Sequence, residues 1–195
     1  MGENDSVYGG TGTDIIYGES GNDTVYGGDE RDYIEGAVGN DKLYGDDGTD
    51  EIEGGIWSDT LYGGNGNDTL EGGESNDYIY AGDGNDIIIE DKGNDRIFGG
   101  TGKDYFVFFP GKIGNDTIED FSRPNSYENF TYIYDFISIV GSNQLDPYEI
   151  NYASNNGNTI ISFTFSSYTE SITILNTANV PELFQYQITH FDQPG

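Results

Sequence analysis

The stretch Gly63-Gly64-Asn65-Gly66-Asn67-Asp68-Thr69-Leu70-Glu71 decides the fold, because its pattern recurs every nine residues. Each nine-residue unit has an aspartate at its sixth position and a large apolar residue two positions later. Twelve such pairs follow one another without a slip, which excludes both a chance origin and a flexible acidic linker. The aspartates are Asp5, Asp14, Asp23, Asp32, Asp41, Asp50, Asp59, Asp68, Asp77, Asp86, Asp95 and Asp104.

Each unit combines a turn with a short strand. Glycine tolerates left-handed backbone angles, so the glycine-rich half of the unit predicts a tight turn. The polar–apolar–polar triplet that follows predicts a strand of three residues whose middle side chain faces inward. Because one unit cannot bury that side chain alone, successive units must stack. Two units form a coil of 18 residues with two turns and two sheets, so residues 5–108 predict a stack of about six coils, roughly 30 Å long.

The composition of the chain favours cations as partners. Seven Lys and Arg against 36 Asp and Glu give a net charge of −29. Such acidity argues against binding to nucleic acid, which requires a basic patch on the protein, and against binding to an anionic membrane surface. The chain has no Cys and a single His, which excludes disulfides, thiolate metal sites and a multi-histidine zinc site. Its 14% aromatic content is unlike that of a disordered acidic chain, so we expect folding once the charge is neutralised.

Stacking would place the motif aspartates in two columns, because turns on the same side are 18 residues apart. Neighbouring carboxylates would lie about 5 Å apart and repel by about 3 kcal/mol per pair at an effective dielectric constant of about 20. Ten such pairs exceed a typical net stability of about 5–15 kcal/mol. Cations between the turns are therefore required. Carboxylate and turn carbonyl oxygens suit Ca²⁺ better than Mg²⁺, and we expect roughly six to ten Ca²⁺ ions.

The repeat resembles the motif G-G-x-G-x-D-x-U-x, with U apolar, of the RTX (repeat-in-toxin) calcium-binding family. The resemblance covers residues 5–108. It implies an all-β fold, a right-handed parallel β-roll in which aspartate side chains and turn carbonyls bind Ca²⁺ between successive turns. The metal ligands that it implies are the aspartates from Asp14 to Asp104 and the turn glycines Gly10, Gly12, Gly21, Gly39, Gly48, Gly64, Gly66, Gly82, Gly84 and Gly93.

Some turns depart from the motif, and we expect weakened or empty sites there. On this basis Asp68→Ala should cost more calcium affinity than Asp59→Ala, because the turn before Asp59 carries Trp57 at the fourth position. The bulky or branched residues that replace motif glycines are Glu30, Trp57, Ser75, Glu90 and Asp91.

The residue that follows each inward apolar position faces outward, and in one of the two sheets it is aromatic. Such a ladder favours strands through contacts on the same face. It could instead be a platform for sugar rings or another domain, or pack against the C-terminal segment. The pattern favours the strand-stabilising role and leaves the binding platform and the packing against the C-terminal segment open. The candidate ligand-binding residues are Tyr8, Tyr26, Tyr44, Tyr62 and Tyr80, followed by Phe98.

The period ends after Asp104, so we divide the chain into a β-roll over residues 1–108 and a second segment over residues 109–195. Alternating apolar residues at 159–165 and 171–175 predict antiparallel strands. A solenoid needs a cap over its apolar end and its open strand edge, and we assign that role to the second segment.

Parts of the second segment resemble the sequences that follow RTX repeats in secreted proteases, lipases and alginate-epimerase modules. These are residues 114–121 and 135–139. They contain Asp116, Asp120 and Asp135, which we interpret as surface carboxylates, with one further ion as the alternative.

Catalysis has little support in the sequence. The only histidine, His190, lies in a polar tail, and each motif aspartate has a structural role in its turn. We therefore expect no enzyme activity. The first thirty residues show no signal peptide, and no apolar run reaches the roughly 18 residues of a membrane span.

The predicted function is that of a calcium-binding module that folds when Ca²⁺ binds. Asp5 is preceded by an incomplete turn, so we expect a C-terminal piece of a larger protein with a catalytic, toxin or adhesin region upstream. The resemblance implies export by a type I secretion machinery and a secreted, extracellular location in bacteria. The alternative is a module that binds polysaccharide or a partner through the tyrosine ladder.

Overall fold

The computed structural model describes residues 2–109 and 114–120 together with the backbone of four later strands. These residues form seventeen strands and no helix, so the predicted all-β class is confirmed. The odd-numbered strands up to β13 are β1 Ser6–Thr11, β3 Thr24–Asp29, β5 Lys42–Gly48, β7 Thr60–Gly66, β9 Tyr78–Gly84, β11 Arg96–Gly102 and β13 Asn115–Ile118. The even-numbered strands up to β14 are β2 Ile15–Tyr17, β4 Tyr33–Val38, β6 Glu51–Ile56, β8 Thr69–Glu74, β10 Ile87–Glu90, β12 Tyr105–Phe108 and β14 Phe136–Ile139.

The first fourteen strands form two sheets, one of odd-numbered and one of even-numbered strands. Within each sheet these strands pair in parallel, and through most of the chain paired residues are 18 apart, as in Leu61 with Ile79. The chain therefore winds from one sheet to the other and back in each coil. This confirms the predicted parallel β-roll with two sheets and 18 residues per coil.

The core is a line of apolar side chains, one from each nine-residue unit. They are fully or almost fully buried, and each contributes about 1.5–3 kcal/mol to the folded state. A slip of one residue would turn them all outward, so the repeat also fixes the register. From Ile16 onwards the buried members are Ile16, Val25, Ile34, Leu43, Ile52, Leu61, Leu70, Ile79, Ile88, Ile97 and Phe106.

Most strands are longer than the three residues predicted from the sequence. Strand β7, for example, covers seven residues, Thr60–Gly66. The parallel ladder continues into the glycine-rich turn, where Gly64 pairs with Gly82. Since a glycine backbone can follow the turn without losing its neighbours, hydrogen bonds between coils hold the turns as well as the strands.

After residue 109 the pairing continues with a different spacing. Strand β13 pairs in parallel with β11, but Arg96 lies opposite Thr117, an offset of 21 residues. Strand β17 (Thr169–Ile174) pairs in parallel with β13, and β16 (Asn158–Thr164) and β15 (Glu149–Asn155) follow in antiparallel order.

These antiparallel pairs agree with the strands predicted over 159–165 and 171–175. The boundary at residue 109 and the covering of the roll's end stay predictions. His190 and Asp135 lie outside the described residues. No helix in the part of the chain that the structure describes is long and apolar enough to cross a membrane.

Candidate metal centres

Each motif aspartate from Asp23 onwards is tied to the turn one coil earlier. Oδ1 of Asp68 accepts a hydrogen bond from the backbone N–H of Asp50, with 2.9 Å between nitrogen and oxygen. Oδ1 of Asp86 accepts the same bond from Asp68, also at 2.9 Å. Equivalent bonds run along both columns, from Asp5–Asp23 at 2.7 Å to Asp86–Asp104 at 3.0 Å. One oxygen of each carboxylate is thus fixed by a backbone donor.

For most of these carboxylates the other oxygen has no such donor among the described residues. Along most of both columns Oδ2 is buried and has no hydrogen-bond partner among the described residues. A buried polar atom that lacks its partner costs about 1–3 kcal/mol, and more when it is charged. A repeated cost of this kind indicates that another group satisfies these atoms. The residues are Asp14, Asp23, Asp32, Asp41, Asp50, Asp59, Asp68, Asp77 and Asp86.

Backbone oxygens converge on spaces that stay open because glycines line them. A Cβ on Gly66, whose φ is +137°, would lie 1.5 Å from the carbonyl oxygen of Gly48 one coil earlier. A Cβ on Gly63 would lie 2.3 Å from the carbonyl oxygen of Ala81 and 2.7 Å from Oδ2 of Asp68. Carboxylate and carbonyl oxygens of neighbouring coils therefore approach the same space.

Burial and mutual repulsion disfavour the ionised form of the column aspartates when no cation is near them. Burial raises the pKa of Asp50 to about 7; the backbone hydrogen bond with Asp32 lowers it, while the charges of Asp68 and Asp32 raise it. Burial likewise raises the pKa of Asp77 to about 8. Ionised and stacked, these groups need a counter-charge close to them.

Calcium fits this donor set. All the converging atoms are oxygens, and Ca²⁺ takes six to eight oxygen ligands in flexible geometry. The motif aspartates with their buried Oδ2 atoms, and the turn carbonyls of neighbouring coils, are the groups that would hold it. A bound Ca²⁺ ion would supply the positive charge that the described part of each column lacks.

The predicted site residues lie in two columns as the 18-residue period requires. Left-handed φ angles occur at Gly10, Gly12, Gly21, Gly64, Gly66, Gly82 and Gly84. The backbone keeps the same turn conformation where glycine is replaced, because Glu30, Trp57 and Ser75 adopt left-handed φ angles of 79°, 87° and 97°. Such a conformation costs roughly 1–2 kcal/mol for each residue with a side chain.

The turn with Trp57 places its aspartate like the others. Asp59 is 1% exposed, and its Oδ1 accepts the N–H of Asp41 at 2.8 Å. The lower affinity expected for this site stays a prediction, and it would have to come from the backbone strain at Trp57. Which residues bind ions is likewise a prediction.

The interpretation of Asp116 as a surface carboxylate is wrong. Asp116 is 1% exposed, and its Oδ1 accepts the N–H of Asp95 at 3.1 Å, so it continues one of the columns. The sequence contained a signal, because Asn115-Asp116-Thr117-Ile118 repeats the pattern of Asn67-Asp68-Thr69-Leu70. The shift from 18 to 21 residues concealed it.

Asp120 is exposed, as expected, but it has a structural partner. Its two carboxylate oxygens accept the backbone N–H groups of Gly99 and Gly100, at 2.8 and 2.9 Å. It therefore holds the turn before Asp104.

A second ladder, not predicted from the sequence, lies beside the aspartates at the fifth motif position. Oδ1 of Asn67 accepts the backbone N–H of Asn85 at 2.7 Å, and Oδ1 of Asn76 accepts that of Asn94 at 2.8 Å. These exposed bonds also link residues 18 apart. They keep successive turns in register around the predicted metal ligands.

The aromatic ladder forms as predicted on the outer face of the odd-numbered sheet. Neighbouring rings from Tyr8 to Phe98 stack with centroids 4.6–5.0 Å apart and ring planes within 10° of parallel. Each inner ring therefore has a neighbour on both faces. This geometry agrees with a strand-stabilising role, and ligand binding by the ladder stays a prediction.

The parallel β-roll and its two columns of buried aspartates define a class of protein, that of calcium-binding repeat proteins. A sequence-family profile described as the RTX calcium-binding nonapeptide repeat matches the chain in four copies, which together cover more than half of it. The matched ranges are residues 1–34, 26–56, 58–88 and 91–108. The chain belongs to the RTX calcium-binding nonapeptide repeat family.

Two solved structures are similar at 17% sequence identity. One is the extracellular lipase LipA from Serratia marcescens, with a TM-score of 0.33; the match covers 86% of this chain and 38% of the lipase chain. The other is the AlgE6R3 subunit of the mannuronan C5-epimerase from Azotobacter vinelandii, with a TM-score of 0.28; the match covers 95% of this chain and 92% of that chain. Among the curated proteins, none matches the chain.

Proposed function

We propose that this chain is a calcium-driven folding module in the C-terminal part of a larger secreted bacterial protein. The observation that carries the proposal is the column of buried Oδ2 atoms, as in Asp50 and Asp68, that have no hydrogen-bond partner in the described part of the chain. These atoms belong to a chain with a net charge of −29, so stacking and counter-charge are linked.

The switch between the two states follows from calcium concentration. Extracellular calcium modules bind with dissociation constants of about 0.1–1 mM, far above the level of free Ca²⁺ inside cells. Inside the cell, repulsion within the columns keeps the chain expanded. Outside, neutralised carboxylates allow the coils to stack, and the free energy of ion binding becomes free energy of folding.

Export as an unfolded chain agrees with this switch. Family membership and the acidic repeats support passage through a type I secretion machinery, followed by folding outside the cell. The partner region, with catalytic, toxin or adhesin activity, would lie upstream. We expect roughly six to ten bound Ca²⁺ ions, one for most gaps between turns.

Far-UV circular dichroism during a CaCl₂ titration from chelator to about 10 mM tests this function. We expect a steep change from coil to strand near about 1 mM Ca²⁺, and no such change with MgCl₂. A chain that is already rich in strand in chelator near pH 8 would overturn the proposal, because the columns would then be stable without an ion.

A second candidate function is binding of polysaccharide or a protein partner by the tyrosine ladder. The observation that favours it is the continuous outer stripe of stacked rings. Replacement of Tyr26, Tyr44 and Tyr62 by Ser should leave calcium-driven folding in place. Binding of an alginate oligosaccharide that is lost in this variant would support the second function; no binding by the wild-type chain would contradict it.

A further inference from the structure

One buried acidic side chain has no place in the repeat motif. Glu90 ends strand β10 and occupies the first motif position, where most of the other turns have glycine. It is 1% exposed, so its carboxylate lies inside the roll. Its Oε1 atom is buried and has no hydrogen-bond partner among the described residues.

Glu90 lies beside two carboxylates of one aspartate column. Carboxylate oxygens of Glu90, Asp95 and Asp116 all lie within 4.8 Å of one another, and all three residues are buried. Two oxygens bound to one Ca²⁺ at 2.3–2.6 Å can be at most about 5 Å apart. The three side chains can therefore reach a single ion without a change of backbone.

The charges that act on Glu90 are those of other acids. They come from Asp95, Asp116 and Asp77. The basic side chains nearest in the chain are paired elsewhere: Lys92 with Glu74 and Arg96 with Glu119.

The structure assigns a further divalent-cation site, suited to Ca²⁺, to the side chains of Glu90, Asp95 and Asp116. Its ligand set differs from that of the regular turns, because three carboxylates replace the combination of one motif aspartate and glycine-lined carbonyls. It also has a distinct position, since Asp116 lies on β13, where the spacing changes from 18 to 21 residues. An ion there would fix the register between the regular coils and the strands that follow.

The inference depends on the proposed function in one respect only, which is that Ca²⁺ is taken to be the ion available to the chain. Binding of ⁴⁵Ca²⁺ to the 195-residue chain by equilibrium dialysis tests it, at the lowest free Ca²⁺ that saturates the wild type. Glu90→Gln keeps the shape of the side chain and removes its charge, and we expect it to bind one ion fewer. Glu53→Gln is the matched control, because Glu53 lies on the outer face of the same sheet, and it should bind as many ions as the wild type.

Eu³⁺ excitation spectroscopy gives a direct second measurement, since its line position responds to the total charge of the ligands. We expect a line from a three-carboxylate site in the wild type and in Glu53→Gln, but not in Glu90→Gln. If Glu90→Gln fails to fold, the wild-type spectrum still decides. An equal ion count with no such line would overturn the inference, and would mean that Glu90 keeps a proton shared with Asp95.

Circular dichroism of the same samples separates this inference from the proposed function. A wild-type chain that folds with Ca²⁺ but has no three-carboxylate site contradicts the inference alone. A wild-type chain whose strand content does not depend on Ca²⁺ contradicts the proposed function.

Discussion

Replacement of one column aspartate by asparagine should have opposite effects on the ion-free and the ion-bound protein. Asp50 is 2% exposed, and its Oδ1 accepts the N–H of Asp32 at 2.8 Å. In Asp50→Asn the amide oxygen can keep this bond, while the charge is lost. The variant therefore removes repulsion from the ion-free stack and also removes a ligand from the ion-bound one.

The size of the first effect follows from the neighbours of Asp50 in its column, Asp32 and Asp68. Strand spacing puts each carboxylate about 5 Å away, so each pair contributes about 3 kcal/mol of repulsion at an effective dielectric constant of about 20. Asp50→Asn removes both pairs and can stabilise the ion-free stack by as much as about 6 kcal/mol. In Ca²⁺ the same change should lower the ion count by one or two, because the side chain borders two gaps.

Two measurements separate these effects: strand content in chelator as a function of pH, and the number of ⁴⁵Ca²⁺ ions bound at saturation. We expect Asp50→Asn to keep its strand signal to a higher pH in chelator than the wild type, and to bind fewer ions. Asp47→Asn is the control, because Asp47 lies in the same turn but is exposed, so both values should stay near those of the wild type. A variant with less strand in chelator, or with an unchanged ion count, would refute the reasoning.

Three further predictions test the pH dependence, the turns and the ladder. In chelator, circular dichroism should show more strand as the pH falls from about 8 to about 5. In the folded form the pKa is raised to about 8 for Asp77 and to about 6 for Asp41, whereas in the unfolded form it keeps the ordinary value of 3.8, so over this range the folded form binds protons that the unfolded form releases. A loss of strand over the same range would contradict this prediction. Gly66→Ala should lower the free energy of unfolding, measured with urea in Ca²⁺, by about 1–3 kcal/mol more than Gly12→Ala does. Both glycines have a positive φ, but only a Cβ on residue 66 would meet a carbonyl oxygen of the neighbouring coil. Equal losses in the two variants would contradict a close approach of the coils at Gly66. Tyr44→Leu should cost about 1–3 kcal/mol through two lost ring contacts and leave the ion count unchanged, and a lower ion count would show that the ladder shapes the metal sites.

The regular part of the fold could be predicted because the interactions that define it repeat at one short distance in sequence. The nine-residue period places Leu61 inward and Asp68 in a turn, and stacking alone then pairs each residue with one 18 positions away. The length of the strands could not be predicted in this way. It depends on hydrogen bonds between neighbouring turns, such as that from the N–H of Gly39 to the carbonyl oxygen of Ile56, which an isolated repeat does not contain.

The irregular end of the roll could not be predicted, because its contacts do not follow the period. Glu90 looked like a defect that weakens a turn, since the first motif position normally carries glycine. Only the packing of β13 against β11 shows that Asp116 comes to the same place. A substitution that is costly in one isolated turn can thus add a ligand when a strand from a different spacing completes the group.

The roll is held together by links between neighbouring coils. Each aspartate takes its backbone hydrogen bond from the coil before it, so a carboxylate is oriented only after that coil is in place. At the N-terminal end Asp5 is exposed, whereas Asp23 and the later column aspartates are buried. At the other end, β13 and Asp116 continue the column into the following strands. The junction at β13 therefore has strand partners on both sides, β11 and β17, which makes it a stable place from which stacking can start.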